Sequence, residues 1–279
     1  MTAVRALLAD AGARLAASSP SPRVDADVLL AHVLQRDLTW LRVHDQDEIP
    51  APDCARFAAA LARREQGEPV AYITGTRGFW SLDLAVDAAT LIPRADTETL
   101  VEWALELLPQ GVNSQALDLG TGSGAIALAL KAERPRCAIS AVDRSPAALA
   151  VARGNGERLG LPVRFIESDW YARLGGERFD VIVANPPYIA ENDPHLVQGD
   201  LRFEPASALV APAQGLGDLR HIIEGARRHL LRDGWLLLEH GHEQGRPVRE
   251  MLQDNGFAAV DTRRDLGGNE RCSGGRWPC

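Results

Sequence analysis

The strand-like run 179–184 is followed by Asn185-Pro186-Pro187-Tyr188, four residues that together could hold a planar amine. Each proline fixes its own φ and lacks an N–H group, so this segment can neither continue as helix nor pair as a strand. A residue that precedes a proline is held in extended backbone, which leaves its carbonyl oxygen without a local donor. We expect the side-chain oxygen of Asn185 and the backbone oxygen of Pro186 to accept the two hydrogens of an amide or of a nucleobase amine. An ordinary turn is the alternative interpretation.

Methylation of the bound amine is the chemistry that this arrangement favours. An amide nitrogen is a poor nucleophile because its lone pair is delocalised into the carbonyl group. Two fixed acceptors would orient that lone pair towards a methyl donor and would stabilise the positive charge that develops on nitrogen. We therefore predict Asn185 and Pro186 as catalytic residues, with Pro187 and Tyr188 completing the substrate-binding set. The Tyr188 ring would pack on the amide plane and exclude water, and its hydroxyl is assigned no role.

A glycine-rich turn between the strand-like run 116–119 and a helical stretch from Ala125 predicts a cofactor site. Its residues are Gly120, Thr121, Gly122, Ser123 and Gly124. Glycine allows a sharp turn and a close approach of backbone to ligand, and the N-terminus of the next helix offers free N–H groups. The pattern fits the relaxed dinucleotide fingerprint as well as the loop that binds S-adenosylmethionine. The turn alone therefore predicts a nucleoside cofactor of either kind.

Two further strand ends supply residues for the same cofactor. Asp143 ends the strand after the glycine turn, where a carboxylate can accept both ribose hydroxyls in either class of site. Asp169 and Trp170 follow the third strand. Asp169 could accept a hydrogen bond from an adenine amine, and Trp170 could cover the adenine ring. The plainer alternatives are an Asp143 that caps the next helix and a Trp170 that covers the domain edge. Amine acceptors such as Asn185 serve a methyltransferase and not a dehydrogenase, so we predict S-adenosylmethionine as the cofactor. We expect it to contact the glycine turn (residues 120–124), Asp143, Asp169, Trp170 and Asn185.

Beyond residue 111, strand-like and helical segments alternate, which predicts an α/β domain of the Rossmann-like methyltransferase class. The strand-like runs are 116–119, 138–142, 163–166, 179–184, 235–239 and 257–260. We divide the chain into an N-terminal helical substrate-docking domain (1–69), a β-hairpin linker (70–92) and the methyltransferase domain (93–279). The tail after Glu270 is poor strand material, and no structure is assigned to it.

Bulk composition indicates a globular chain. The 279 residues are 46% hydrophobic and 24% charged, with a net charge of −8. An acidic chain lacks the basic stripe expected of a nucleic-acid-binding surface. The four cysteines show no Cys-x-x-Cys pair, which argues against zinc, and no apolar run is long enough to span a bilayer. We expect a cytoplasmic monomer with no metal, no direct nucleic-acid partner and no membrane partner.

The combined motifs resemble the HemK/PrmC family of protein-(glutamine-N5) methyltransferases over nearly the whole chain. Besides the loops already described, the family-like segments are 75–80, 91–98, 193–196, 202–205 and 237–241. The resemblance implies S-adenosylmethionine-dependent methylation of the glutamine in the Gly-Gly-Gln motif of class I peptide chain release factors. It also implies that the helical domain and the hairpin help to hold the factor. Ala95, where the family has proline, and Gly78, where it commonly has an acidic residue, depart from the pattern without touching the methyl-transfer residues.

Other functions remain open at this point. Residues 94–98 resemble the release-factor branch of the family more than the branch that methylates a ribosomal protein, which is one alternative. An amine methyltransferase acting on nucleic acid would share the catalytic core. A nicotinamide oxidoreductase fits the glycine turn but leaves residues 185–188 unexplained. Intact cofactor and acceptor motifs argue against a non-catalytic adaptor that binds S-adenosylmethionine.

Overall fold

Ten α-helices and thirteen strands form within residues 2–197 and 199–278, which this computed structural model describes. The helices are α1 Val4–Leu15, α2 Pro22–Leu34, α3 Leu38–Val43, α4 Ala51–Glu65, α5 Val70–Thr74, α6 Glu98–Leu107, α7 Ala125–Glu133, α8 Pro146–Leu159, α9 Gly217–Ala226 and α10 Gly245–Asp254. The strands are β1 Thr2–Ala3, β2 Glu48–Ile49, β3 Thr76–Phe79, β4 Leu82–Ala85, β5 Gln115–Leu119, β6 Ala138–Asp143, β7 Arg164–Glu167, β8 Phe179–Ala184, β9 Ile189–Ala190, β10 Val210–Ala211, β11 Leu230–Glu239, β12 Ala258–Arg264 and β13 Glu270–Arg276. They form two compact units, Met1–Thr76 with Pro194–Phe203, and Arg77–Asp193 with Glu204–Cys279. The division at residues 69 and 92 stays a prediction.

The first unit is built from helices α1 to α5. Its largest buried side chains include Leu15, Leu29, Leu30, Leu41, Phe57 and Leu61. Helices α2 and α4 carry Pro22 and Pro52 in their first turn, where the missing N–H group leaves no intrahelical bond unmade. Residues Val70–Thr74 form the helix α5, so the strand structure expected from residue 70 is wrong for this segment. Pro69 precedes this helix and Gly75, with a φ of 74°, ends it in a left-handed turn, so the first strand begins only after that turn.

The expected β-hairpin follows as β3 and β4, which pair with each other. Asn155 on α8 fixes its second strand. The Asn155 side chain accepts a hydrogen bond from the Ala85 N–H at 2.7 Å and donates to the carbonyl oxygens of Ala85 and Ser123, both at 3.0 Å. A buried amide is thereby satisfied, and one side chain connects the hairpin to the glycine turn.

Seven strands form the central sheet in the order β12-β13-β11-β8-β5-β6-β7. Strands β11, β8, β5, β6 and β7 are parallel to their neighbours in this series, and β13 is antiparallel to both of its neighbours. From β5 the chain winds outward through β6 to β7, and it then returns to β8 and winds the other way. The boundary between β5 and β8 is therefore a topological switch point, whose crevice at the carboxyl ends is where open α/β sheets bind ligands. The α/β expectation is confirmed.

Both faces of the sheet are covered by helices. On β8, Val181 and Val183 join the core that includes α6 and α7, whereas Ile182 and Ala184 join the core that includes α9 and α10. None of these four residues is more than 1% exposed. Burial on both faces explains why residues 181–184 of β8 are a continuous apolar run instead of an alternating one.

The tail after Glu270 forms β13, which lies inside the sheet between β11 and β12. Two glycines of this strand leave no room for a side chain. A Cβ on Gly274 would lie 2.5 Å from a methyl group of Leu237, and a Cβ on Gly275 would lie 2.9 Å from the Cβ of Phe257. In the sequence these glycines are typical of a loop, because the residues that pack against them belong to distant segments of the chain.

Candidate active site

The ends of β5 and β8 bring the two predicted loops together. In the parallel pairing of these strands, Leu119 lies opposite Ala184. The next residues, Gly120 and Asn185, therefore leave the sheet side by side at the switch point. The glycine turn (residues 120–124) and the predicted amine-binding loop (residues 185–188), which were predicted separately, both contribute residues to one crevice.

The glycine turn is anchored to the neighbouring strand. The N–H groups of Gly120 and Thr121 both donate to the Val142 carbonyl oxygen at 2.9 Å. Gly120, Gly122 and Gly124 have φ values of 74°, 56° and 86°, in the left-handed region that glycine adopts without strain. A Cβ on Gly122 would meet no atom within 4 Å, so this part of the turn faces open space. The exposed backbone is a cradle that a ligand can approach closely.

Asp143, at the end of β6, is hydrogen-bonded to two backbone segments. Its Oδ2 accepts from the Gly122 N–H at 2.9 Å, and its Oδ1 accepts from the Ser145 N–H at 2.9 Å. Ser145 caps α8 by accepting from the Ala148 N–H at 3.2 Å, so Asp143 is not the helix cap. Each carboxylate oxygen has a further lone pair, and Asp143 lines the crevice, so it can still accept from ligand hydroxyls.

Trp170 packs against Gly120 at the same crevice. Its backbone has a φ of 46°, and a Cβ on Gly120 would lie 3.3 Å from the indole ring. The Ser168 hydroxyl fixes this turn because it donates to the Trp170 carbonyl at 2.9 Å and accepts from the Arg173 N–H at 3.0 Å. Asp169 belongs to the same lining. A flat ring beside a carboxylate is suited to a planar base that carries an amine.

The amine-binding loop is held at both of its ends. The Asn185 side chain donates through Nδ2 to the Thr97 hydroxyl oxygen at 3.2 Å. The Tyr188 carbonyl accepts from the Gln244 side chain at 3.0 Å. Asn185 is half-buried and lines the crevice. An amide that is fixed through its nitrogen presents its oxygen as the acceptor for a ligand.

Two buried carboxyl groups adjoin these loops, and neither of them was predicted as a site residue. Glu239, at the end of β11, accepts from the Tyr188 hydroxyl at 3.4 Å, and Asp118 on β5 accepts from the Thr121 hydroxyl at 2.6 Å. Burial raises the pKa of both carboxyl groups to about 7. Each has one oxygen with no hydrogen-bond partner among the described residues. Perturbed acids of this kind cluster at functional sites.

A third buried carboxylate, Glu204, holds the segment that precedes α6. Glu204 forms an ion pair with Arg94 and accepts from the Ile92 N–H at 3.1 Å. It thereby joins the family-like segments 91–98 and 202–205, and both of them contribute residues to the lining of the crevice. The sequence identifies these segments as family-like but does not predict their contact, because the ion pair connects residues that are 110 positions apart.

The crevice collects most of the predicted site residues. From the predicted set, its lining contains Gly120, Thr121, Gly122, Ser123, Asp143, Asp169, Trp170, Asn185 and Pro187. Gly124, Pro186 and Tyr188 lie outside that lining. The lining also contains several residues that were not predicted for the site: Thr90, Leu91, Pro93, Thr97, Arg144, Ser145, Pro205 and Ser207. Membership of a family-like segment is the signal that could have found four of them, namely Leu91, Pro93, Thr97 and Pro205.

Within the described residues, no group of three or more His, Cys, Asp or Glu side chains is placed to hold a metal ion. No helix in that part of the chain combines the length and the apolar composition needed to cross a bilayer. The residues that line the crevice carry carboxylates, an amide, hydroxyls, the Arg144 guanidinium and the Trp170 indole, besides backbone N–H and C=O groups.

The fold is that of a Rossmann-like methyltransferase. A family model described as the methyltransferase small domain matches residues 96–209, and another described as the PrmC N-terminal domain matches residues 6–75. The solved structure of a methyltransferase from Pyrococcus furiosus superposes with a TM-score of 0.55 at 19% identity, which covers 80% of this chain and 100% of that one.

Curated relatives identify the family. The release factor glutamine methyltransferase of Salmonella typhimurium is 52% identical over 260 residues, which is 93% of this chain and 94% of the relative. The protein of that description from Escherichia coli is 51% identical over 261 residues, with the same two shares of 93% and 94%. The chain belongs to the family of release factor glutamine methyltransferases, and the resemblance seen in the sequence is confirmed.

Proposed function

We propose that this chain transfers a methyl group from S-adenosylmethionine to the side-chain amide nitrogen of the glutamine in the Gly-Gly-Gln motif of class I peptide chain release factors. One observation carries the proposal. The pairing of Leu119 with Ala184 sets a crevice suited to a nucleoside beside a loop suited to an amide. The family, whose curated members are named for release factor glutamine methylation, supports the choice of substrate.

The walls of the crevice fit S-adenosylmethionine by their chemistry. We assign the ribose hydroxyls to Asp143, the adenine amine to Asp169 and the adenine face to Trp170. The open backbone at Gly122 gives the ligand room, since a Cβ there would meet nothing within 4 Å. When bound, S-adenosylmethionine supplies an electrophilic methyl group on a sulfonium sulfur.

In this proposal, Asn185 and Pro186 act on the substrate amide. Their oxygens accept its two N–H hydrogens, hold the nitrogen lone pair towards the methyl donor, and stabilise the positive charge that develops on nitrogen. The proton leaves to water after transfer, so no general base is needed before attack. Pro187 and the Tyr188 ring bound the space around the amide plane and exclude water.

We propose that residues 1–69 dock the release factor, that residues 70–92 link the two parts, and that residues 93–279 carry the chemistry. A docking surface for a protein rests on shape and mixed polar contacts, which suits a chain with a net charge of −8. Because release factors work on the ribosome, we place the reaction in the cytoplasm. The enzyme acts as a monomer and needs no nucleic-acid or membrane partner.

Incubation with labelled S-adenosylmethionine and a set of substrates tests this function. We expect label in an intact class I release factor, and mass spectrometry of its peptides should place the methyl group on the glutamine of the Gly-Gly-Gln motif. A release factor with alanine in place of that glutamine should take up no label. Label in tRNA, DNA or a ribosomal protein instead, or tight binding of NAD with no response to S-adenosylmethionine, would overturn the proposal.

Replacement of the loop asparagine tests the assignment of the substrate site. Asn185→Ala should keep the Kd of S-adenosylmethionine within a few-fold and slow single-turnover transfer by roughly 100-fold or more, as expected for the loss of one preorganised polar contact. Asn192→Ala, at an exposed position a few residues further along the chain, is the matched control and should transfer at the wild-type rate. Near wild-type transfer by Asn185→Ala would contradict the assignment.

A further inference from the structure

Thr97 lies between the amine-binding loop and a buried carboxyl group. It ends the 3-10 turn Ala95–Thr97, directly before α6, and is 4% exposed. Its hydroxyl oxygen accepts a hydrogen bond from Nδ2 of Asn185 at 3.2 Å. The same hydroxyl favours the ionised form of the carboxyl group of Glu239, which is 1% exposed. Thr97 therefore lies between Asn185 and an acid at the end of β11.

Glu239 is the acceptor of this small network. The Tyr188 hydroxyl approaches Glu239 Oε1 at 3.4 Å, and burial raises the pKa of that phenol, so it stays protonated and donates. The positive charge of Arg271 favours the ionised form of Glu239, although burial opposes it. A neutral carboxyl group would still offer its carbonyl oxygen to Thr97.

The direction of the hydrogen bonds follows from the number of hydrogens available. A threonine hydroxyl has one hydrogen and two acceptor lone pairs. Because the Thr97 hydroxyl favours the ionised form of Glu239, its hydrogen is turned towards that carboxylate, and its oxygen is left to accept from Nδ2 of Asn185. Asn185 must then turn its –NH2 group towards Thr97, and because the amide is planar, Oδ1 points to the other side. Oδ1 is the atom that the proposed function requires as an acceptor for the substrate amine.

We propose that Thr97 is a positioning residue for methyl transfer, which fixes the Asn185 side chain with Oδ1 towards the substrate amide. The inference rests on the proposed function, since it requires Asn185 to bind the reacting amide. The two ends of an asparagine amide are nearly equal in size, so only hydrogen bonding selects between its two orientations. Without the Thr97 hydroxyl, the –NH2 end of Asn185 can face the substrate –NH2 group, where two donors oppose each other.

Thr97→Val and Thr97→Ser separate the hydroxyl from the volume of the side chain. Valine keeps the branched shape and removes the hydroxyl, whereas serine keeps the hydroxyl. Single-turnover transfer to an intact release factor, at saturating S-adenosylmethionine, should fall about 10-fold or more in Thr97→Val and stay within about 3-fold of wild type in Thr97→Ser. The Kd of S-adenosylmethionine, measured by calorimetry, should stay within about 3-fold in both variants, because Thr97 acts on the orientation of the acceptor and not on the cofactor.

The Asn185→Ala background decides whether Thr97 acts through Asn185. In that background the loss caused by Thr97→Val should disappear, since no amide remains to be oriented. Equal rates for the valine and serine variants, or a loss of full size in the Asn185→Ala background, would overturn the inference. Unimpaired transfer by Asn185→Ala alone would instead show that the proposed function assigns the wrong residue to the substrate amide, whereas the absence of label in the release factor with the wild-type enzyme would overturn the proposed function itself. Circular dichroism checks the fold, and Thr97→Ala takes the place of Thr97→Val if the valine variant does not fold.

Discussion

The carboxylate of Asp143 accepts a hydrogen bond at 2.9 Å from the backbone N–H of Gly122, which lies 21 positions earlier in the chain. The bond joins the end of β6 to the turn after β5, so the side chain assigned to the ribose also orders the turn that approaches the cofactor. Its other oxygen orders the approach to α8 through the Ser145 N–H at 2.9 Å. The loss of this carboxylate should therefore weaken cofactor binding both directly and through the turn.

Asp143→Ala should weaken the binding of S-adenosylmethionine about ten-fold or more. Two charge-assisted hydrogen bonds to the ribose would be lost, and their loss together should cost about 1.5–3 kcal/mol, which corresponds to ten-fold and upward in affinity. Asp143→Asn keeps a side-chain oxygen and should lose less affinity. Titration calorimetry measures both variants, with thermal unfolding of the ligand-free proteins as the control for folding. An unchanged Kd in a folded Asp143→Ala variant would remove Asp143 from the cofactor site.

Tyr188→Phe and Tyr188→Ala should have different effects on methyl transfer. Phenylalanine keeps the ring and loses only the hydrogen bond to Glu239, worth about 1 kcal/mol, so transfer should stay within about five-fold of wild type. Alanine removes the ring that bounds the amide, and the resulting misplacement of substrate should slow transfer about 100-fold. Single-turnover rates at saturating cofactor separate the two. A phenylalanine variant as slow as the alanine variant would show that the hydroxyl, and not the ring, positions the substrate.

The parts of the fold that the sequence predicts are those with a local signal. The apolar run of β8 and the glycine turn after β5 are visible because burial on both faces and left-handed backbone constrain residue types directly. Strand β13 was missed because Gly274 and Gly275 appear as a flexible segment. They are selected by the closeness of Leu237 and Phe257, which belong to other segments of the chain.

The residues of the candidate site also differ in whether the local sequence predicts them. Asn185 and Asp143 could be predicted because each follows a strand and belongs to a pattern of neighbouring residues. Thr97 and Glu239 lie in family-like segments, but their roles could not be predicted, since their partners are remote in sequence: Thr97 bonds to Asn185 across 88 positions, and Glu239 bonds to Tyr188 across 51. These side chains come together because the 3-10 turn before α6 packs against the ends of β8 and β11.

Glu239→Gln should change how the stability of the protein depends on pH. Burial raises the pKa of Glu239 from 4.5 to about 7 in the folded chain. The folded state therefore binds the Glu239 proton more tightly than the unfolded state does. The stability that this protonation contributes is fully present below about pH 4.5 and is lost as the pH rises through about 7. Glutamine does not titrate, so the Glu239→Gln variant should become more stable relative to the wild type as the pH rises over this range. The gain should amount to about 1–3 kcal/mol between about pH 5 and about pH 8.

Urea unfolding at the two pH values measures this difference. Asp118, whose pKa burial also raises to about 7, is present in both proteins, so its contribution cancels. Glu157→Gln, at an exposed position of α8, controls for the loss of a negative charge. If the stabilities of the Glu239→Gln variant and the wild type changed in parallel with pH, Glu239 would not titrate between these values in the folded protein.

Arg64 is the buried centre of an ion-pair network in the helical unit. Its side chain is 5% exposed and pairs with Asp25 at 2.7 Å and with Asp200 at 2.9 Å. The Asp25 side chain is 10% exposed, so it has little water to replace a lost partner. The nearby pair of Arg14 with Glu65 has a similar distance, 2.7 Å, but both of its side chains are much more exposed.

Arg64→Ala should destabilise the helical unit by about 3–5 kcal/mol, since removal of one partner leaves the Asp25 charge buried and unpaired. Arg14→Ala is the matched control, and its effect should be small because water solvates the remaining partner of an exposed pair. Hydrogen exchange of the amides in α2 and α4 reports on this unit without requiring the whole chain to unfold in one step. Exchange should be much faster in Arg64→Ala than in Arg14→Ala. Equal protection in the two variants would mean that the buried network does not hold these helices together.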